Sequence, residues 1–270
     1  MIRSIAYPTD LSPESQPAFE AALRMALLHK SEFALLHVCG QDEEGWDSFP
    51  GVRETMARWG FLEPQASAKD VYPQTGVTVR KYEIFADSVI NGLVEFLRSK
   101  AKTDHSPDLL VMSSHGRAGL GAMLNPSVAG QLAHLSMLPT MIFGPLARPF
   151  VDTMTGKTDR IKTIMVAVDH EPSAQMSLRP LWALAEGLPI TFDFVHIGDT
   201  APVLYDREKK KIPVRLFDGP VVETLLEEVE HVDLLAMPMV GRDGLLDALR
   251  GSTTEQIVAE SIRPVLALPA

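Results

Sequence analysis

The chain of 270 residues has 46% apolar and 22% charged side chains, which is enough apolar material for one or two packed cores. Its formal net charge of −10 at pH 7 argues against an electrostatically driven nucleic-acid binder, because such a protein presents a basic face. A lone cysteine, the lack of a signal-peptide pattern and the lack of an apolar run of about 20 residues predict a cytoplasmic protein with no membrane partner.

The first forty residues predict a strand, a helix and a second strand. Residues 4–9 form a short apolar run that ends at Asp10, and Pro8 favours an early end of this strand. The helix follows Pro13, because apolar residues recur on one of its faces. Residues 33–39 are continuously apolar, as in a buried parallel strand, so the thiol of Cys39 is expected to be buried and inert.

Residues 40–76 form a polar excursion that is interrupted by glycines and prolines. A helix is conceivable over residues 56–61. Trp46 and Trp59 either line a ligand site or pin the excursion to the core, and the second interpretation is favoured because loop tryptophans more often serve that purpose.

The remaining elements complete one unit and then begin another. The predicted elements are strand 77–85, helix 88–99, strand 108–113, a loop with Gly116, helix 127–135 and strand 139–143. Residues 148–160 are polar and unpatterned, which predicts a linker between a first domain, 1–147, and a second domain, 161–270.

Two constant offsets show that the second domain repeats the first. Asp10 and His37 recur 159 residues later, and positions from the fourth strand onward recur 125 residues later. The pairs at 125 residues are Asp108–Asp233, Gly116–Gly241, Arg117–Arg242, Gly119–Gly244, Ser127–Ser252 and Pro139–Pro264. The second copy is therefore 34 residues shorter, mostly where residues 198–211 replace the excursion.

The alternation of strands and helices predicts an α/β fold with two doubly wound parallel five-stranded sheets covered by helices on both faces. Ligands of such sheets bind beyond the carboxyl ends of the strands, where the strand order reverses. Asp10 and Asp169 end the first strands and the glycine loops follow the fourth strands, so each carboxylate is expected to share a crevice with a loop.

The chain resembles a tandem universal stress protein. The resemblance is carried by Asp10 and Asp169, by the second strands LLHVC and FVHIG, and by the loop motif G-x2-G-x9-G-[ST], and it covers nearly the whole chain. It implies the adenine nucleotide alpha hydrolase-like fold with strand order 3-2-1-4-5. It also implies edge-to-edge pairing through the fifth strands, here as an internal pseudo-dimer, with a further homodimer as an open alternative.

The resemblance further implies ATP binding, with the aspartate near base and ribose, the second strand at adenine and the glycine loop on the phosphates. Mg²⁺ could be held through ATP by Asp10 or Asp169, which could instead only cap the following turn. The implied contacts are Val168, Asp169, Ile197, Gly241, Arg242, Gly251, Ser252 and Thr253 in the second copy, and Asp10, Val38, Gly116 and Ser127 in the first.

Neither loop matches the motif completely. In the first copy Pro126 replaces the third glycine and has no N–H to offer a phosphate. In the second copy Gly241, Gly251 and Ser252 match but Pro238 replaces the first glycine, so ATP is expected in at least one half and the second is favoured. Against this preference, the second copy lacks the long excursion, which could cover a ligand.

The sequence offers no catalytic apparatus that we can name. It contains no G-x4-G-K-[ST] motif and no zinc-ligand spacing. We therefore expect a non-catalytic, stress-responsive nucleotide sensor or regulator. The alternatives are a scaffold for dimerisation and partner contacts that binds no nucleotide, and a weak ATPase.

Overall fold

A computed structural model of the chain describes residues 2–40, 49–103, 106–114, 128–158, 161–169, 173–186, 188–239 and 253–269. The first half contains β1 (Ser4–Pro8), α1 (Gln16–His29), β2 (Glu32–Cys39), α2 (Val52–Arg58), α3 (Val71–Thr75), β3 (Thr78–Phe85), α4 (Val89–Lys100), β4 (Leu109–Ser113), α5 (Val128–Ser136) and β5 (Thr140–Phe143). The second half contains β6 (Thr163–Ala167), α6 (Ser173–Met176), α7 (Leu178–Leu184), β7 (Thr191–Ile197), β8 (Leu204–Tyr205), β9 (Lys211–Ile212), β10 (Arg215–Phe217), α8 (Val221–Glu228), β11 (Leu234–Met239), α9 (Thr253–Glu260) and β12 (Val265–Pro269).

Ten of these strands form one sheet in the order β10-β7-β6-β11-β12-β5-β4-β1-β2-β3. The five strands of each half are parallel and follow the order 3-2-1-4-5, which confirms the predicted fold class. The halves meet through an antiparallel pairing of β5 with β12, in which Ile142 faces Val265. The two predicted sheets are therefore one continuous sheet.

The sheet is buried on both faces, which explains the continuously apolar strands. One face packs against α1 and α7, where Phe19 and Leu178 occupy equivalent positions and are fully buried. The other face packs against α4, α5, α8 and α9, and Leu93 and Leu225 are buried there. Both halves contribute to both clusters, so the core continues across the β5–β12 junction.

A pair of aspartates from the repeat joins the amino-terminal ends of neighbouring strands. Asp108 Oδ2 accepts hydrogen bonds from the backbone N–H groups of Arg3 at 2.6 Å and Ser4 at 3.2 Å. Asp233 Oδ2 accepts from Lys162 at 2.8 Å and Thr163 at 2.9 Å. The two aspartates, which are 125 residues apart, thus make the same contact in each unit and hold the first strand against the fourth.

The excursion of the first unit contains α2, which lies at Val52–Arg58 and begins earlier than the expected residues 56–61, and α3 at Val71–Thr75. Arg58 of α2 forms a salt bridge of 3.2 Å with Glu20 of α1. Trp59 is buried, and its Nε1 donates a hydrogen bond to the carbonyl of Thr153 at 2.9 Å. This contact agrees with the favoured role of Trp59 as a pin, whereas Trp46 lies outside the described residues.

The segment predicted as a linker is packed despite its polar sequence. Phe150 and Val151 are buried, and Phe150 lies against Phe143 with ring centroids 5.8 Å apart. The carbonyls of Thr153 and Gly156 in this segment accept hydrogen bonds from Trp59 and Arg24, which hold it against the first unit.

In the second unit the excursion is replaced by a short hairpin of β8 and β9, which the sequence did not reveal. Its strands have two residues each, which is too short for an alternating pattern to be visible.

Candidate functional site

In each unit the pairing of the first strand with the fourth ends before the strands themselves end. In the first unit the pairing of β1 with β4 ends at Ala6 and Leu110, although β1 continues to Pro8. In the second unit the pairing of β6 with β11 ends at Val166 and Ala236, while β11 continues to Met239 along β12. These are the points at which the strand order reverses and where ligands of such sheets bind, and they are called the two crevices below.

Asp10, at the first crevice, is half-buried and caps the turn after β1. Its Oδ1 accepts hydrogen bonds from the backbone N–H of Ser12 at 3.1 Å and from the Ser12 hydroxyl at 2.7 Å. Leu11, between them, has a positive φ of 63°, so a local side-chain contact holds an unusual backbone conformation. The capping role that was one alternative for this aspartate is therefore observed.

The second crevice is bounded by Val168 and Asp169 at the end of β6. Val168 is buried and its N–H donates to the carbonyl of Val195 at 2.9 Å, whereas Asp169 is exposed at the tip. The serine that binds Asp10 has Glu171 as its counterpart in the repeat, and a glutamate has no hydroxyl to donate. The two aspartates therefore occupy equivalent positions with different surroundings.

Two histidines support the strand tips, and the sequence revealed them only as markers of the repeat. His37 Nδ1 donates to the carbonyl of Thr9 at 2.8 Å, and His196 Nδ1 donates to the carbonyl of Val168 at 2.8 Å. Both rings are buried. Each imidazole thus fixes the backbone that precedes an aspartate, and their common offset of 159 residues was the available signal.

The position of the motif's first glycine is occupied by Ser113 at the end of β4 and by Pro238 in β11. Ser113 Oγ is buried and has no hydrogen-bond partner among the described residues. Pro238 lies in the part of β11 that pairs with β12 and has passed the end of its pairing with β6. A residue without an N–H is tolerated there, because the neighbouring strand does not require that donor.

Other predicted contacts lie at equivalent places in the two units. Val38 and Ile197 are half-buried at the tips of β2 and β7, and Thr253 is the exposed first residue of α9. The remaining predicted contacts, in the loops after β4 and β11, lie outside the described residues: Gly116, Ser127, Gly241, Arg242, Gly251 and Ser252.

The described part of the chain contains no group of three or more His, Cys, Asp or Glu side chains suited to a metal ion. The clearest electrostatic perturbation near a crevice is that of Tyr7, where burial raises the pKa to about 12. Its hydroxyl donates to the carbonyl of Ser15 at 3.1 Å and closes the turn that carries Asp10. Tyr7 is therefore a neutral structural donor at physiological pH.

None of the helices in the described ranges has the length and apolar character of a membrane span. The reversed strand order, the paired crevices and the repeated tip residues define a tandem α/β protein with the adenine nucleotide alpha hydrolase-like fold.

Comparisons with known proteins give the family. Residues 1–144 and 204–269 match the universal stress protein family, and the chain belongs to this family. It is 22% identical over 290 aligned residues to a universal stress protein of Mycolicibacterium smegmatis, covering 95% of this chain and 94% of the relative.

Solved structures of similar fold include a universal stress protein from Archaeoglobus fulgidus, with a TM-score of 0.63, 18% identity and coverage of 98% of this chain and 95% of that one. The functionally unknown protein PA1789 from Pseudomonas aeruginosa PAO1 is also similar, with a TM-score of 0.66, 14% identity and coverage of 99% and 92%. At these identities the likeness concerns the fold.

Proposed function

We propose that this universal stress protein binds an adenine nucleotide, ATP with or without Mg²⁺, in the crevice between β6 and β11, and acts as a non-catalytic sensor or regulator in a stress response. The observation that carries the proposal is the separation of these strands beyond Val166 and Ala236. The loop of residues 240–252, which contains the three matching motif residues, connects this crevice to α9.

The residues that precede α9 include a glycine and a hydroxyl side chain, a combination suited to binding the phosphates of a nucleotide. Backbone N–H groups at a helix N-terminus point toward an anion, and the helix dipole favours negative charge there. Gly251 and Ser252 directly precede α9, which begins at Thr253 and has 8 residues. Binding is proposed to use these donors together with Arg242, since a guanidinium can form paired hydrogen bonds with phosphate oxygens.

The second unit is favoured over the first for two reasons. Pro126 removes an N–H from the equivalent loop of the first unit. Asp10 already accepts two hydrogen bonds from Ser12 through one oxygen, and a ligand that used the same oxygen would have to displace them. Nucleotide binding in the first unit, through Asp10, Val38, Gly116 and Ser127, is accordingly the weaker proposal.

Titration calorimetry with Mg-ATP tests the site. The wild type should bind one equivalent, and Gly251→Pro, which recreates the first-unit loop chemistry, should lose binding because it removes a donor and adds bulk. Pro126→Gly is the matched control, and it should leave the second site unchanged. Far-UV circular dichroism should confirm that both variants are folded.

Unchanged ATP affinity in Gly251→Pro would refute the location of the site. No heat for ATP, ADP or AMP with the wild type would refute nucleotide binding and favour a scaffold for partner contacts. Phosphate release above background that disappears in Asp169→Ala would instead indicate a weak ATPase.

The same proposal includes the organisation of the chain. We propose a first domain of residues 1–147, a linker of 148–160 and a second domain of 161–270. The β5–β12 pairing supports an internal pseudo-dimer, since it joins equivalent edges of the two units. A further homodimer and the cytoplasmic location stay predictions from the sequence.

A further inference from the structure

A cavity of about 270 Å³ lies between the two units, away from the crevices. The first unit lines it near the amino-terminal ends of its strands, with Ile2, Leu109 and Pro139. The second unit lines it with α7, including Arg179 and Leu184. The crevices open at the carboxyl ends of the strands, so a ligand in this cavity would be separate from the proposed nucleotide.

The repeat gives this cavity a counterpart on the other side of the junction. Glu20 and Arg24 of α1 correspond to Arg179 and Ala183 of α7, each offset by 159 residues. The other lining positions have counterparts as well: Ile161 for Ile2, Asp233 for Asp108, Leu234 for Leu109 and Pro264 for Pro139. The antiparallel junction makes the two places equivalent, because it relates the units by an approximate two-fold rotation.

The connecting segment lies against α1 at the two counterpart positions. Glu20 Oε2 accepts a hydrogen bond from the hydroxyl of Thr153 at 2.9 Å, and Arg24 Nε donates to the carbonyl of Gly156 at 2.7 Å. The segment that connects the units therefore contacts these α1 residues. The single connection between the units runs on the α1 side, whereas the cavity lies on the equivalent α7 side.

The cavity differs from its counterpart in charge. Arg179 is exposed and replaces a glutamate, and among the described residues it has neither an ion pair nor a hydrogen bond. The neighbouring Asp108 already accepts from the backbone N–H groups of Arg3 and Ser4. Seven of the nine lining residues are apolar, and the other two are Arg179 and Asp108. Asp108 Oδ2 lies 4.0 Å from Arg3 Nε, which leaves Arg179 as the cation that faces a ligand.

We propose that this cavity binds a small carboxylate with an apolar body, with Arg179 as its counter-ion and the side chains of α7 and the β1, β4 and β5 ends around the body. A guanidinium matches a carboxylate in geometry and charge. The volume lies just below the roughly 300 Å³ at which pockets for drug-sized ligands begin, so the ligand is short.

Calorimetric titration of the full chain with octanoate tests the proposal. Two further probes are n-octanol, which has the apolar chain without the charge, and acetate, which has the carboxylate without the long apolar chain. Octanoate should bind saturably and more tightly than either probe. Arg179→Gln should weaken octanoate binding by at least about tenfold and leave octanol unaffected, because it removes a charge-assisted contact. Arg98→Gln, an exposed arginine on α4, is the matched control and should change nothing.

Ala183→Phe provides a second variant, since it fills the cavity from α7 and should abolish binding of both octanoate and octanol. Equal affinities of Arg179→Gln and Arg98→Gln for octanoate would overturn the proposal, as would equal binding of octanol and octanoate by the wild type. Lack of saturable binding of octanoate, hexanoate and decanoate would also overturn it. Gly251→Pro should retain octanoate binding, which separates this result from the nucleotide proposal.

Discussion

Replacing Gly156 with alanine should destabilise the protein through the contact between the connecting segment and the excursion. Gly156 has a left-handed φ of 64°, and an added Cβ would lie 2.5 Å from Cδ2 and 2.6 Å from Cγ of Trp59. The indole is held by its hydrogen bond to Thr153, so it is not the flexible end of a side chain that can move away at little cost.

The expected cost has two parts. A left-handed conformation costs an L-residue about 1–2 kcal/mol, partly offset by about 0.4–1 kcal/mol from the reduced entropy of the unfolded chain. Overpacking against the indole adds about 1–3 kcal/mol. Gly156→Ala should therefore lower the free energy of unfolding by roughly 2–4 kcal/mol.

Two other glycines separate these parts. Gly60 has a similar φ of 75° with nothing within 4 Å of an added Cβ, so Gly60→Ala should cost only about 1 kcal/mol. Gly40 has neither constraint, and Gly40→Ala should be neutral or slightly stabilising. Urea unfolding followed by tryptophan fluorescence measures all three. Equal stabilities of the Gly156 and Gly60 variants would refute the contact with Trp59.

Three further predictions concern ionisable groups. Burial raises the pKa of Tyr7 to about 12, so the contribution of Tyr7 to the free energy of unfolding is present below pH 10 and is lost as the pH rises to 12. The melting temperature of Tyr7→Phe should therefore fall by less than that of the wild type across this range. Burial lowers the pKa of His29, so the contribution of His29 to the free energy of unfolding is present above pH 6.5 and is lost as the pH falls through the folded-state pKa. The free energy of unfolding of His29→Gln should therefore decrease less than that of the wild type on acidification. Asp108→Ala and Asp233→Ala should each cost about 1–2 kcal/mol in urea unfolding, because each removes two bonds to strand N–H groups, and unequal losses would contradict their equivalence.

Much of the fold could be predicted from local patterns. The apolar strands, the amphipathic α1 and the repeat offsets predicted the succession of strands and helices along each unit, because burial of one face repeats at a fixed period in the sequence. The order of the strands in the sheet was implied by the family resemblance. The tip aspartates were predicted for the same reason, since they follow recognisable strands. Their surroundings were not predictable, because the contact of Asp10 with Ser12 depends on the backbone between them.

The sequence by itself determined that this protein is a tandem α/β chain whose two copies carry unequal loops after their fourth strands. Only the tertiary structure decided that the units share one sheet, that Trp59 holds the connecting segment, and that a cavity lies between α7 and the first unit. A repeat specifies each unit separately, whereas the junction brings together residues as distant as Ile142 and Val265. Such contacts depend on shape and packing between distant parts of the chain, and they leave no periodic pattern in the local sequence.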